Sequence, residues 1–166
     1  RRLTRASALI SGIRLICMDL HATALPAFTD NYMWTFTGAT GAVVVDPGDA
    51  GPVEKYLRAQ GVSLQAILIT HHHPDHIGGV AALRRIWPDC AVYAPVDPRA
   101  GERTHSVREG DQLTVAGEFE LQVMELPGHT RSHVGYYGGG ALFCGDTLFS
   151  LGCGRRFEGS AEEFLA

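Results

Sequence analysis

Four of the eight histidines of this chain fall within six residues, in the motif H-H-H-P-D-H. In an extended segment, residues two apart face the same side, so His71 and His73 point together while His72 points away. A turn at the following proline brings Asp75 and His76 around from another direction. Imidazole nitrogens and a carboxylate at this spacing are ligands that a divalent ion such as Zn(II) prefers. The motif therefore predicts a metal site.

Two later segments also place a residue able to bind metal directly after a predicted strand. His129 follows a Pro-Gly turn, and Asp146 follows an apolar run and a glycine. Alone each signal is weak, because such a histidine usually lies in a surface loop and such an aspartate usually forms a turn or a cap. The role of Asp46 is likewise undecided from the sequence, since it either orients a metal ligand or only ends its strand. Cys144 and Cys153 flank this region, and we interpret both as small buried residues.

Short strands and two helices must position these side chains. Apolar runs and turn signals predict strands over 21–25, 31–37, 42–45, 64–69, 91–94, 112–115, 119–126, 133–137 and 141–144. Helices are predicted over 52–60, with Pro at the first turn and Gly61 after it, and over 77–86. Mixed helices and strands around an apolar core favour an α/β sandwich.

The composition of the 166-residue chain excludes several classes of protein. It is 45% hydrophobic and 19% charged, which excludes a disordered chain, and its formal net charge of -4 shows no excess of basic residues that could hold nucleic acid. No apolar run reaches the roughly 20 residues that a transmembrane helix needs. The four cysteines are far apart, which favours a reducing compartment. We therefore predict a cytoplasmic monomer with no nucleic-acid or membrane partner.

Both ends of the chain differ from its middle. Residues 1–19 are rich in arginine and are interpreted as a poorly ordered N-terminal extension, with one domain over residues 20–166. Ser160 and Glu163 have the spacing of a capping box that starts a helix, yet the sequence stops after about one turn. The expectation is that the natural protein continues beyond Ala166 and that the domain is incomplete here.

The order of the three metal motifs resembles that of the metallo-β-lactamase superfamily. The pattern H-x-H-x-D-H is followed by P-G-H-T and then by G-D-T. The resemblance implies an αββα sandwich, here without its C-terminal part, that holds two divalent metal ions, Zn(II) or otherwise Fe or Mn. It also implies that the first ion is bound by His71, His73 and His129. The second ion would be bound by Asp75 and His76, and the Asp146 carboxylate would be shared by both ions.

Further matches resemble one branch of this superfamily, the glyoxalase II family of hydroxyacylglutathione hydrolases. They are F-T-D-N-Y with Trp34, V-V-D-P-G, and the stretch G-C-G-R-R-F-E-G-S that ends at Ser160. The resemblance implies hydrolysis of S-lactoylglutathione to lactate and glutathione, the second step of methylglyoxal detoxification. It assigns catalytic roles to Asp146 and Asp75 and substrate contacts to Arg155 and Phe157.

Two alternatives stay open. The superfamily's persulfide dioxygenase also uses glutathione and has a similar G-C-G-R stretch, but with one iron; the residues that follow, R-F-E-G, favour the hydrolase. The second alternative is a metal-binding remnant without catalysis, because the family's further histidine ligand in an H-E-Y segment has no counterpart here. His105 and His133 come too early in the chain to match it.

Overall fold

Two β-sheets stacked face to face, with helices on the outer side of one of them, make up the framework of the protein. The computed structural model describes residues 9–10, 13–14 and 20–162. Strands β1 (Leu9–Ile10) and β2 (Ile13–Arg14) pair with each other in an antiparallel manner. The extension predicted over residues 1–19 otherwise lies outside the described residues, as does Glu163 of the predicted capping box, so both stay predictions.

The first sheet has six strands in chain order. They are β3 (Thr23–Ala27), β4 (Asn31–Thr37), β5 (Ala42–Val45), β6 (Leu64–Leu68), β7 (Ala91–Pro95) and β8 (His105–Val107). The first three strands pair antiparallel, and β5 to β8 run parallel. Parallel neighbours need crossover connections, which explains why helices cover this sheet.

The second sheet has four antiparallel strands in the order β12-β11-β10-β9. They are β9 (Gln112–Val115), β10 (Phe119–Glu125), β11 (Val134–Gly138) and β12 (Ala141–Phe143). Strand β10 alternates between buried and exposed residues, as a strand with one face on a core does.

Helix α1 (Ala50–Gln60) and helix α3 (Val80–Ile86) share a core with the six-stranded sheet. Asp49 caps α1 through the backbone N–H of Gly51, and Gly61 ends it in the left-handed conformation. A second core fills the space between the sheets. Successive valines of the fully buried strand β5 alternate between the two cores. The predicted α/β sandwich is thus confirmed, with three of the four expected layers described.

The helix predicted over 77–86 is wrong in extent, because two glycines divide it. A single turn, α2 (Pro74–Ile77), precedes α3, and Gly79 lies between them with its N–H donating to the carbonyl of Pro47 at 2.8 Å. A Cβ at position 79 would stand 2.5 Å from that carbonyl oxygen. The close approach of the histidine motif to the turn after β5 therefore requires glycine here.

Most predicted strands are confirmed to within two residues, and 31–37, 42–45 and 112–115 match in full. Sequence analysis missed β8 and the 3-10 helix Pro98–Ala100. Within the described part of the chain, no helix has both the length and the apolar character that crossing a bilayer requires.

Candidate metal centre

The predicted metal-binding residues come together at one edge of the two sheets. His71 lies three residues beyond the end of β6, and α2 follows directly with Asp75 and His76. His129 and Asp146 come from the other sheet, after β10 and β12. Each segment leaves its strand at this edge, so residues up to 75 positions apart in sequence meet at one place.

Three histidines form the first group of donor atoms. Nε2 of His71 lies 3.1 Å from Nδ1 of His73, and Nε2 of His129 lies 2.9 Å from the same Nδ1. His71 and His129 are buried, with exposed fractions of 0% and 2%. As the alternation predicts, His72 is turned away from this group and lies 3.7 Å from Asp97 instead.

The hydrogen-bond partners of two rings decide which nitrogen carries the proton. The Thr70 hydroxyl donates to Asp46 at 2.7 Å, so it must accept from Nδ1 of His71 at 3.0 Å. Nδ1 of His129 donates to the carbonyl of Arg155 at 2.5 Å. When the His71 and His129 rings are neutral, the Nε2 atom of each therefore carries a lone pair that faces Nδ1 of His73. Nδ1 of His73 carries at most one proton, so it can donate a hydrogen bond to only one of them.

A second group consists of His71, His76 and Asp146, whose donor atoms lie within 4.8 Å of one another, as they do in the first group. Nε2 of His76 is buried and lies 3.2 Å from Oδ1 of Asp146, yet it makes no hydrogen bond of acceptable geometry among the described residues. Converging lone pairs and an unpartnered buried nitrogen are what a divalent cation satisfies. The residues present therefore fit the metal that the sequence predicts.

Asp146, a member of the second group, also faces the first group. Its Oδ1 faces His76, and its Oδ2 lies 3.4 Å from Nε2 of His129. Burial raises its pKa, but the adjacent ring of His76 and then the neighbouring His129 and His133 outweigh burial and lower it, so the side chain is a carboxylate at neutral pH. One carboxylate thus presents one oxygen to His76 of its own group and the other to His129 of the first group.

The buried histidines differ in charge because their surroundings differ. Burial, followed by the neighbouring imidazoles, lowers the pKa of His71 far below its usual value. Burial would also lower the pKa of His76, but the carboxylates of Asp46 and Asp146 raise it to about 10. His71 is therefore neutral and able to bind a metal, and the carboxylates around His76 make this position favourable for a cation.

Asp46 connects the end of β5 to the histidine motif. Its carboxylate accepts from the N–H and the hydroxyl of Thr70, both at 2.7 Å, and lies 3.0 Å from Nδ1 of His76. Its backbone has a φ of 50°, in the left-handed region that asparagine and aspartate tolerate better than most residues. Of the two roles open in the sequence, the geometry favours orientation of the site residues.

Asp75 stands at the margin of the site. Its side chain is half-exposed, Oδ2 accepts from the amide of Asn31 at 2.8 Å, and the same oxygen lies 3.5 Å from Nε2 of His76. Asp75 belongs to neither group of three defined above.

Sequence reasoning set His133 aside, yet this residue is part of the site. It is fully buried, its ring stacks on that of His71 at 4.8 Å, and Nε2 accepts the backbone N–H of Asp146 at 3.2 Å. Burial lowers the pKa of His133 to about 4, so the ring is neutral and able to accept this bond at pH 7. No motif marked it, because its role depends on strand β11 packing beside the histidine motif.

The predicted substrate contacts lie on the outer side of the first group. Phe157 is exposed, and its ring packs edge-on against His73 and His129 at 5.4 and 5.2 Å. Arg155 is exposed, and its guanidinium forms no ion pair with residues 20–162. The interpretation of Cys153 as buried is wrong, because the glycine-rich loop that carries it lies on the surface.

A cavity of about 750 Å³ opens over the second group. Asp75, His76 and Asp146 are among its lining residues, and so are the exposed apolar side chains of Trp34 and Phe149. A cavity of this size with apolar walls and a few converging polar groups is typical of a small-molecule site.

Known proteins resemble this chain in both sequence and fold. A family model described as the metallo-beta-lactamase superfamily matches residues 28–164. A curated hydroxyacylglutathione hydrolase from Xanthomonas axonopodis pv. citri (strain 306) is 52% identical over 143 residues, which are 86% of this chain. Those residues make up 56% of that relative, so the chain spans little more than half of its length.

Solved structures agree on the fold. BLEG-1, a B3 metallo-β-lactamase, superposes with a TM-score of 0.78 at 28% identity, over 87% of this chain and 82% of that one. TTHA1623, solved in a di-iron-bound form, superposes with a TM-score of 0.71 at 27% identity, with the same two coverages.

Proposed function

The chain belongs to the metallo-beta-lactamase superfamily, and from that we propose that it is the metal-binding part of a thioester hydrolase that cleaves S-2-hydroxyacylglutathione, S-lactoylglutathione in particular, to the 2-hydroxy acid and glutathione. In this proposal His71, His73 and His129 hold one divalent ion, and Asp75 and His76 contribute to a second. Asp146 is shared by both. The relatives named hydroxyacylglutathione hydrolase support the substrate class.

The observation that carries the proposal is the position of the Asp146 carboxylate between His76 and His129. One oxygen faces His76 and the other faces His129, at 3.2 and 3.4 Å. Divalent ions at such a site lower the pKa of coordinated water to about 7 and polarise a carbonyl oxygen, which is the chemistry that hydrolysis of a thioester requires. Zn(II) is the proposed ion, because imidazole and carboxylate ligands suit it.

The residues of the chain supply position and surroundings. Asp46 and Thr70 hold His71 and His76, while the Arg155 carbonyl holds His129. The apolar walls of the cavity reduce the water around a bound thioester, which strengthens electrostatic interactions inside it. The leaving thiolate needs less protonation than an amine, so the mechanism requires no proton donor placed for the leaving group.

The test is hydrolysis of S-lactoylglutathione by the metal-loaded chain, followed as thiol release under anaerobic conditions. Release of one thiol for each thioester consumed is the expected result. Failure of every metal-loaded form to release thiol would overturn the proposal. Oxygen uptake with glutathione persulfide by a one-iron form would replace it with the dioxygenase.

Metal retention is expected to be unequal. After dialysis against metal-free buffer, elemental analysis should find about one ion held tightly per chain and a second held weakly. The first group offers three imidazole ligands, whereas the second offers two imidazoles and a carboxylate and shares His71 with the first. His73→Ala should release the tight ion, and His105→Ala, an exposed histidine on β8, should retain it. Two equally retained ions would contradict this asymmetry, and no retained ion would contradict the site.

Arg155→Ala is expected to raise KM for the glutathione thioester about three- to tenfold, with kcat nearly unchanged. A contact to a remote substrate carboxylate acts equally in the ground state and the transition state. The effect stays modest because Arg155 is exposed and its charge is screened. Steady-state kinetics check this, with the neighbouring exposed Arg156→Ala as the control. A three- to tenfold fall in kcat with an unchanged KM would contradict the assignment of Arg155 as a substrate contact.

A further inference from the structure

A cluster of charged side chains lies just outside the metal centre and takes no part in the proposed chemistry. Arg99 stands at its middle. Its guanidinium donates to Asp97 at 3.0 and 2.8 Å and, on the other side, forms two hydrogen bonds with the carboxylate of Glu158. We call Asp97, Arg99 and Glu158 the clamp.

The clamp joins four segments of the chain. Asp97 is buried and also accepts from the Ser132 hydroxyl at 2.6 Å, beyond the His129 turn. Glu158 accepts the backbone N–H of Arg131 at 3.1 Å. His72, from the histidine motif, lies 3.7 Å from Asp97 and 3.9 Å from Glu158. The segments joined are therefore those that supply the first group of histidines and the loop after Asp146.

That loop, residues 152–160, touches the metal centre through its backbone. The Phe157 N–H donates to the His129 carbonyl at 3.1 Å, and the Gly159 N–H donates to the Gly128 carbonyl at the same distance. In the same loop, the Arg155 carbonyl accepts from Nδ1 of His129. The tautomer that directs Nε2 of His129 inward therefore depends on where this loop lies.

We propose that Glu158 is a positioning residue: its ion pair with Arg99 holds loop 152–160 in place, and the loop in turn orients His129 for metal binding. This inference rests on the proposed function for the identity of the metal centre. Glu158 lies between Phe157 and Gly159, so one side chain fixes both backbone contacts. Its anchor is firm, because Asp97 holds the other side of Arg99 with a backbone N–H bond as well.

The charge of Glu158 is maintained under ordinary conditions. Its hydrogen bonds with Arg99, and then with the Arg131 N–H, lower its pKa to about 2 despite the opposing effect of burial. The carboxylate is therefore ionised at neutral pH, and a charge-assisted pair with a forked guanidinium is stronger than a neutral hydrogen bond. A glutamine at this position would keep the shape and lose that strength.

The test compares amide hydrogen exchange and cobalt(II) affinity in the 166-residue chain with those of Glu158→Gln. In metal-free protein, the amides of Phe157 and Gly159 should exchange about tenfold faster or more in the variant. The dissociation constant for cobalt(II) should rise about three- to tenfold, and the cobalt absorption spectrum should change because His129 is a ligand. Arg99→Lys, which keeps the charge but not the fork, should give shifts in the same direction.

The control is Glu54→Gln, which removes an exposed Glu–Arg pair on α1 at 2.8 Å and should alter neither measurement. Unchanged exchange and unchanged cobalt affinity in Glu158→Gln would overturn the inference. Faster exchange throughout the chain, including β5, with a parallel fall in the unfolding midpoint, would also overturn it, because Glu158 would then act on stability alone. If the wild-type chain hydrolyses no thioester while Glu158→Gln shows the expected changes in amide exchange and cobalt affinity, the proposed function is wrong and the role of Glu158 is still supported.

Discussion

Asp146→Ala is expected to lower kcat/KM for S-lactoylglutathione by about 10³-fold or more, the equivalent of several kcal/mol of transition-state stabilisation. The carboxylate presents one oxygen to His76 and the other to His129, so its removal affects both proposed metal positions together. It also leaves the buried His76 without one of the two carboxylates that raise its pKa. Among the described residues, His71 is the one that belongs to both groups, so its loss would also affect both.

Steady-state kinetics and elemental analysis on the same samples check this expectation. Asp89→Ala, at an exposed turn after α3, removes the same charge away from the site and should leave both measurements unchanged. The backbone at position 146 keeps its hydrogen bonds to Gly154 and His133 in the variant, so the loop should stay in place. Activity within tenfold of wild type would contradict a shared role for Asp146.

Asp46→Asn is expected to weaken metal affinity or activity about 10- to 100-fold, although Asp46 is no ligand in the proposed site. The side-chain amide of the asparagine has one oxygen, so it cannot accept the hydrogen bonds of both the Thr70 N–H and the Thr70 hydroxyl as the two carboxylate oxygens do. The substitution also removes the negative charge opposite Nδ1 of His76. Asparagine tolerates the positive φ of this position, so the change tests the carboxylate and not the backbone.

Titration with cobalt(II) in competition with a chelator measures this effect. Asp49→Asn makes the same chemical change three residues away and should be silent, because asparagine caps a helix as well as aspartate does. Unfolding midpoints of both variants separate loss of affinity from loss of structure. If Asp46→Asn bound metal as tightly as wild type, the role of Asp46 would be limited to ending β5.

The framework could be predicted from the sequence wherever the signal was local. Strand β5 is a wholly apolar run before Asp-Pro-Gly, and α1 has recognisable ends, so both were predicted to within two residues. The division between α2 and α3 was not predicted, because Gly79 is required by the carbonyl of Pro47, which lies far away in sequence. Strand β8 is three residues long and exists by pairing with β7.

The same distinction applies to the site. The motif spacing predicted the facing of His71 and His73, which depends only on alternation along one segment. His133 and the clamp were missed, because their roles depend on contacts between distant segments; Arg99 and Glu158 are 59 positions apart. The local sequence around Arg99 or Glu158 does not indicate that the two side chains form an ion pair.

Strand order has a consequence for how such a centre comes into existence. In both sheets every strand pairs with its neighbour in sequence, so the strands of each sheet can pair in the order in which they leave the ribosome. The donor atoms, however, are divided between the sheets: His71 and His76 belong to the earlier half, and His129 and Asp146 to the later. During synthesis, a metal ion therefore meets an incomplete site until the second half docks on the first. The metal ion therefore binds after the two sheets have docked. Because it binds only the docked form, it then stabilises that form by mass action.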